Sequence, residues 1–399
     1  MEYHGSRDAR AVWRYGNRQH PAREIFRPRG IVRVGLLSRI RAGADLEPPD
    51  QPLLAASGKD ATILAPAFDE RGPPPPPSGS PGTPVTTSLA PDAAAAAPAR
   101  AASTGLFRFA VFFAAFTLVH IKGGAMVVSS GSGMAFTDWP LARGSLWPPD
   151  MDLEDLFEHL HRISGAFVGL LGIGLGTWVQ RADDRSWLRK LCWWLLVLIC
   201  VQGLLGGIGV LLGQEGGRTW APAAIAHGVL GQVTLSIQVV VAFALSPSFR
   251  DRVRASADEV GTSRRLSTIA LSLVVTQLLL GAVFRHTNAQ GVLWVHVFMA
   301  LVVSISILIA SAYASSRFGK SSPGFRSVGT WVNVLLLLQL ALGFVTLGVR
   351  RFKDPSNIEY LGRSFIVSSH VLVGATLFLF ATLLVAKAWR NLDPAPEKA

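Results

Sequence analysis

From about residue 106 onward the chain reads as a succession of long apolar runs separated by short polar connections. Each run is about 20 residues or longer, which matches a hydrocarbon core of ~30 Å crossed at about 1.5 Å per residue. Backbone N–H and C=O groups must find internal partners in lipid, so these runs are expected to be helices. Eight are predicted: α1 over 106–128, α2 over 155–180, α3 over 187–212, α4 over 219–246, α5 over 264–285, α6 over 290–315, α7 over 327–349 and α8 over 364–388. The expected fold class is an all-α membrane protein. Residues 1–103 break the pattern with Pro73–Pro77, Ala93–Ala97 and many Arg, Gly and Ser. This stretch buries too little apolar surface to offset its ordering entropy, and it is predicted to be disordered. It lacks a clean apolar core followed by a cleavage site, so it does not read as a signal peptide.

A repeat emerges once the runs are aligned. α3 carries Gln202-Gly-Leu-Leu-Gly206, α5 carries Gln277-Leu-Leu-Leu-Gly281 and α7 carries Gln339-Leu-Ala-Leu-Gly343, while α1 has His120-Ile-Lys-Gly-Gly124 at the equivalent place. Each is followed in the next helix by a histidine: His161, His227, His296 and His370. The unit is therefore a helix pair used four times. The eight helices are expected to form two pseudo-symmetric four-helix bundles, 104–250 and 251–390, followed by a tail over 391–399. Bundles of this kind build cofactor sites from side chains on facing helices.

Composition agrees: 50% of residues are hydrophobic and only 16% charged, against about 25% charged in a soluble domain. The net charge of +12 does not indicate nucleic acid, because the arginines sit between the apolar runs. It sets orientation instead. One set of connections and ends holds 15 basic residues, among them Arg181, Arg189, Arg250, Arg264, Arg317 and Arg390; the opposite set holds 7. The richer side is expected to be cytoplasmic, which puts both ends of the helical core inside. Cys192 and Cys200 lie eight apart in one apolar run, so they form neither a disulfide framework nor a metal cluster.

The four even-helix histidines lie about seven residues past the outer start of each predicted run, roughly 10 Å below the interface at helical rise. Ionisable groups at that depth are costly and usually face a bundle interior, where they pair or bind something. Neutral imidazole is a good ligand for iron. Two axial pairs, one per bundle, are the simplest arrangement, and they make haem the expected ligand. Zinc or copper is disfavoured because no Cys or Met accompanies the histidines. Glu158, in Phe157-Glu-His-Leu-His-Arg162, sits one turn outward of His161 on the same face and could exchange protons beside a bound iron. Spacing alone also allows a helix-start acid favoured by the dipole, with Asp152, Glu154 and Asp155 as neighbours. His159 is expected on a different face at the interface. Arg162 could pair with a propionate or simply anchor the helix. The Gly-, Pro- and Trp-rich loop Ser129–Pro149 reads either as a fixed cap over a site or as an ordinary aromatic belt. His286, at the membrane edge, suits a propionate or water contact better than axial ligation. Lys122, inside α1, could snorkel, pair with a carboxylate or meet an acidic substrate group.

These residues together resemble a known family. The loop Gly-Ser-Gly-Met-Ala-Phe-Thr-Asp-Trp-Pro140, Glu158-x-x-His161-Arg162, Gln202-Gly-Leu-Leu-Gly-Gly207 and the even-helix histidines look like haem A synthase, over about residues 106–388. The resemblance implies oxidation of the C8 methyl of haem O to a formyl group, giving haem A for terminal oxidases in a bacterial inner membrane. It implies a haem b (iron) cofactor in the C-terminal half on His296 and His370. It also implies haem O as substrate in the N-terminal half at His161 and His227, and Glu158 as the catalytic carboxylate. A haem O-producing farnesyltransferase is the implied partner; the redox partner and any homo-oligomer stay open. There are departures. The first outer loop lacks the cysteine pair of many bacterial members, which excludes a relay through it. The connection between α5 and α6 is very short, and residues 1–103 match nothing in the family. A membrane cytochrome with two haem b groups and no methyl oxidation shares the histidines, and so does a transporter or assembly factor that binds no haem.

Overall fold

The computed structural model describes residues 104–213, 219–350 and 357–396; the expectation of disorder for residues 1–103 lies outside these. Among the described residues, eight helices are long and apolar enough to cross a membrane. They are α1 (Thr104–Ser129), α2 (Leu153–Ala182), α3 (Ser186–Leu211), α4 (Ala221–Leu245), α5 (Ala257–Thr287), α6 (Gln290–Phe318), α7 (Pro323–Val349) and α8 (Asn357–Asn391). Consecutive helices pack as antiparallel hairpins. α1 to α4 close one four-helix bundle, and α5 to α8 close another. The two bundles meet through α1, α4, α5 and α8. α4 and α8 lie deepest, with 61% and 44% of their spans buried against 28% or less elsewhere. The outward faces present Leu170, Phe298, Leu337 and Phe344, all strongly exposed, as lipid-facing surfaces do.

Several helices run past their apolar stretches, α5 and α8 by the most. α5 begins seven residues earlier than expected, because Ser256 and Glu259 form a reciprocal capping box that starts the helix in the polar connection. That device satisfies two of the amide groups that every helix start leaves orphaned. α8 likewise extends outward beyond the expected 364. The turn between α5 and α6 is as short as predicted: Asn288 takes a left-handed conformation (φ 56°), and Ala289 leads directly into α6. Cys192 is buried and Cys200 exposed, both as free thiols.

The expected C-terminal tail is not loose where it is described. Val253–Ala255 (β1) and Leu392–Pro394 (β2) form a two-stranded parallel ribbon on the Arg-rich side. Leu392 is fully buried there. Asn391 donates from Nδ2 to the carbonyls of Ser248 (2.9 Å) and Asp251 (2.6 Å), and Arg264 donates to the carbonyl of Leu392 (2.7 Å). A hydropathy pattern is blind to such a device, because three-residue strands carry no periodicity. Asn391→Ala leaves two carbonyls without their donor and should cost about 1–3 kcal/mol. Denaturation of the detergent-solubilised protein measures this, and an unchanged midpoint would show that the ribbon does not depend on Asn391.

Candidate functional site

Reciprocal packing inside each hairpin builds the site. The glycine of each Gln-x-x-x-Gly motif faces the histidine of the next helix. A Cβ on Gly206 would stand 3.6 Å from the ring of His227, one on Gly281 3.1 Å from His296, and one on Gly343 3.3 Å from His370. In return, the residue four past the histidine opens toward the glutamine: Gly231 faces Gln202 and Gly374 faces Gln339. The glutamine amides then grip the histidines. Gln277 donates to the His296 carbonyl (2.9 Å), and Gln339 Nε2 lies 3.1 Å from His370 Nε2. Gln202, in the amide orientation that satisfies both its ends, donates to the His227 carbonyl and accepts from the Gly231 N–H. The three glutamines flagged by the repeat are thus contacts of the candidate ligands. Close approach of backbones at small residues is how membrane helices gain packing energy, and here it also makes room for the imidazoles.

All four even-helix histidines are half-buried within the bundles. His161 and His227 come together in the N-terminal bundle, with ring centroids 6.4 Å apart and planes at 89°. In the C-terminal bundle His296 stands on α6 against Gly281, and His370 on α8 against Gly343. The Nδ1 atoms of His161, His296 and His370 are sealed from solvent and have no hydrogen-bond partner. Among the described residues, no group of three or more His, Cys, Asp or Glu is arranged to hold a bare metal ion.

A histidine outside the predicted set joins the first pair. His120, on α1, stacks face to face on His161, with centroids 4.3 Å apart and planes at 10°. Its Nδ1 is 2.7 Å from Ser164 Oγ. The repeat had signalled the position, because His120 stands where the other pairs carry glutamine.

Glu158 is buried at the outer end of α2. Its Oε1 accepts from Arg162 at 2.5 and 3.1 Å, and its Oε2 accepts from the Phe136 N–H (3.1 Å). Arg162 also donates to the carbonyls of Phe136 (3.2 Å), Asp138 (2.7 Å) and Leu141 (2.6 Å). Arg162 thereby ties the outer loop to α2. That loop is folded down onto the bundle. Phe136 is buried beneath it, and the Trp139 indole lies so close over Gly207 that a Cβ there would stand 2.6 Å away. Burial opposes ionisation of Asp138, yet the Gly144 and Arg143 N–H groups and the Arg162 charge outweigh it, holding this carboxyl below the usual carboxylate range. The loop therefore keeps its Asp138 contacts until pH falls through that lowered value. His159, expected on a different face at the interface, is buried under the outer loop. It makes edge contacts with Trp147 (4.9 Å) and Phe136 (6.2 Å), because the folded loop covers the face on which it lies.

Two cations cross between the bundles. Lys122 donates to Ser369 on α8 (2.8 Å) and lies 3.9 Å from the Phe365 ring centre. Hydroxyls and an aromatic face, rather than a carboxylate, are thus its described partners. Arg285 reaches α1, donating to the Ala125 carbonyl (2.6 Å) and Ser129 Oγ (2.8 Å).

The fold and site define a class: an eight-span membrane protein with a pair of intramembrane histidines in each of two four-helix bundles. Residues 151–294 match the family described as cytochrome oxidase assembly protein. The chain is 30% identical over 180 residues to a heme A synthase of Symbiobacterium thermophilum, covering 43% of this chain and 56% of that one. It is 34% identical over 113 residues to that of Shouchella clausii (28% and 38% covered) and 26% over 187 residues to that of Lysinibacillus sphaericus (46% and 58%). The chain spans between about a third and somewhat over half of the length of these curated relatives. By these matches part of the membrane core is similar to the cytochrome oxidase assembly family and to curated heme A synthases. Glu158, His161 and His227 fall inside the matched family segment; His296 and His370 lie beyond it and are tied to the site by the internal repeat.

Arg162→Ala should strip Glu158 of its counter-charge and three loop carbonyls of their donor. Breaking a buried pair from one side costs about 3–5 kcal/mol. Limited proteolysis of the intact protein should then cut residues 129–150 much faster, and an unchanged digestion rate would show that the clamp does not hold the loop.

Proposed function

We propose that the chain is a haem A synthase, an enzyme that oxidises the C8 methyl of haem O to a formyl group. The observation that carries this reading is the repeated imidazole seat, with an orphaned, sealed Nδ1 on His161, His296 and His370 and a glycine clearing space beside each ring. The residues present fit a porphyrin iron.

On this reading His161 and His227 hold the substrate haem O, and His296 and His370 hold haem b. When bound, haem would supply one-electron redox chemistry at iron. The chain's own groups do the rest. The glutamine amides fix imidazole orientation, as outer contacts of metal ligands do. The clamped outer loop covers the outer end of the N-terminal bundle and limits water there. Glu158, in the same turn region as His161, is the group that would take up or deliver a proton. The core would lie in a bacterial inner membrane with both ends cytoplasmic, and a haem O-producing farnesyltransferase would supply it.

One observation favours a second reading. Glu158 already has structural work, paired with Arg162 and the Phe136 N–H, so its presence does not by itself demand catalysis. A two-haem electron-transfer cytochrome would need it only for the loop. Haem extracted after co-expression with a haem O source separates the two. Formyl-bearing haem is expected from the wild type, falling about 100-fold or more in Glu158→Gln, at the low end of general acid–base contributions; haem b alone in every preparation would leave the cytochrome. His296→Ala should abolish the low-spin signal of the C-terminal haem while the N-terminal site still binds porphyrin. A normal six-coordinate spectrum for that haem would refute its assigned ligand.

A further inference from the structure

Three of the four hairpins share one solution, a glutamine amide laid against the following histidine. The first hairpin does not. His120 stands at the glutamine position, with Gly124 four residues on in the place of Gly206, Gly281 and Gly343. The reciprocal packing is preserved: a Cβ on Gly124 would stand 2.6 Å from the His161 ring, and one on Gly165 would stand 3.3 Å from the His120 ring. Only the chemistry of the contact has changed, from hydrogen bond to stack.

The hydrogen bonds around His120 fix its orientation. Ser164 Oγ donates to the His161 carbonyl at 2.9 Å. A hydroxyl has one proton, so toward His120 the same oxygen can only accept. His120 Nδ1 therefore carries the hydrogen and donates to it at 2.7 Å. The His120 ring is thus tied to α2 one turn from His161, and it lies flat on His161 at 4.3 Å and 10°. Two degrees of freedom of the His161 ring are restricted by this: its tilt, by the face of the stack, and its rotation toward α1, by the absence of space.

We propose that His120 is a positioning residue of the N-terminal porphyrin site, where its stacked ring sets the plane of the His161 imidazole. This rests on the haem-binding reading given above. It makes the two halves unlike in a definite way. The C-terminal ligands are held by amides through hydrogen bonds, and one N-terminal ligand is held by the face of a second imidazole. The N-terminal ligand field is then set by packing, which tolerates a moving occupant better than a fixed amide contact does, as suits a site that must exchange substrate for product.

The test uses the full chain in detergent, titrated with ferric protoporphyrin and read by low-temperature electron paramagnetic resonance and optical spectra. Two low-spin signals are expected in the wild type, and the one that His161→Ala removes belongs to the N-terminal site. His120→Phe keeps a ring in the stack and should leave the g values of that signal in place. His120→Ala, and His120→Gln, which installs the residue of the other pairs, should shift them. His120→Ala should also weaken N-terminal porphyrin affinity by about 10–100-fold, the usual cost of losing an outer contact of a metal ligand. The C-terminal signal in the same sample reports that each variant is folded. If His120→Ala leaves both g values and affinity unchanged, or His120→Phe perturbs them as much as His120→Ala, the stack does not position His161 and the proposal falls while haem binding stands. If the wild type shows no N-terminal signal at any porphyrin concentration, the haem-binding reading fails, and the proposal with it.

Discussion

An imidazole inside a bilayer needs two things at once: room among close-packed helices, and something to hold it. This protein meets both with one contact, a glycine on the preceding helix backing each ring. A larger residue there would collide with the ring or push the helices apart. The helix spacing, the direction of the histidines and the partnership with glutamine all follow from that contact. It also explains why the motif recurs at a fixed place in α3, α5 and α7: the glutamine and glycine are four residues apart, so they share one face of the helix.

The outer loop is governed by a different force. Arg162 gathers Glu158 and three loop carbonyls into one cluster with 14% and 5% of the two side chains exposed. A charged pair this deep gains little net stability compared with apolar packing, but loss of either partner is severe. Its value lies in geometry. The loop over 129–150 is pinned to the same helix that carries His161, so cover and ligand move together. The cations Lys122 and Arg285 do the equivalent between bundles, each donating to the other half. The two bundles are therefore joined at the depth of the histidines as well as at the Arg-rich side.

Much of this was legible in the sequence, because membrane helices announce themselves by length and the repeat placed the histidines. The boundaries of α5 failed where a polar capping box, Ser256 with Glu259, extended the helix past its apolar run. His120 stood in plain view at the glutamine position, yet an odd-helix residue carried no weight until the stack on His161 could be measured. The burial of His159 has another origin. Helical spacing gives the face of a residue but not what a distant loop will lay over it, and Phe136 and Trp147 cover it. The partners of Lys122 lie on α8, some 246 residues away in sequence, a separation that no local pattern can bridge.

The parallel ribbon between Val253–Ala255 and Leu392–Pro394 has a bearing on biogenesis. One strand lies at the junction of the two bundles, and the other directly follows α8. Pairing between them closes a very long loop, and such contacts form late. The first bundle can insert and pack while the second is still being synthesised, but the junction has no partner strand until the final helix has crossed. A chain that stopped between residues 255 and 392 would thus have helices that can enter the membrane while this fastening never forms.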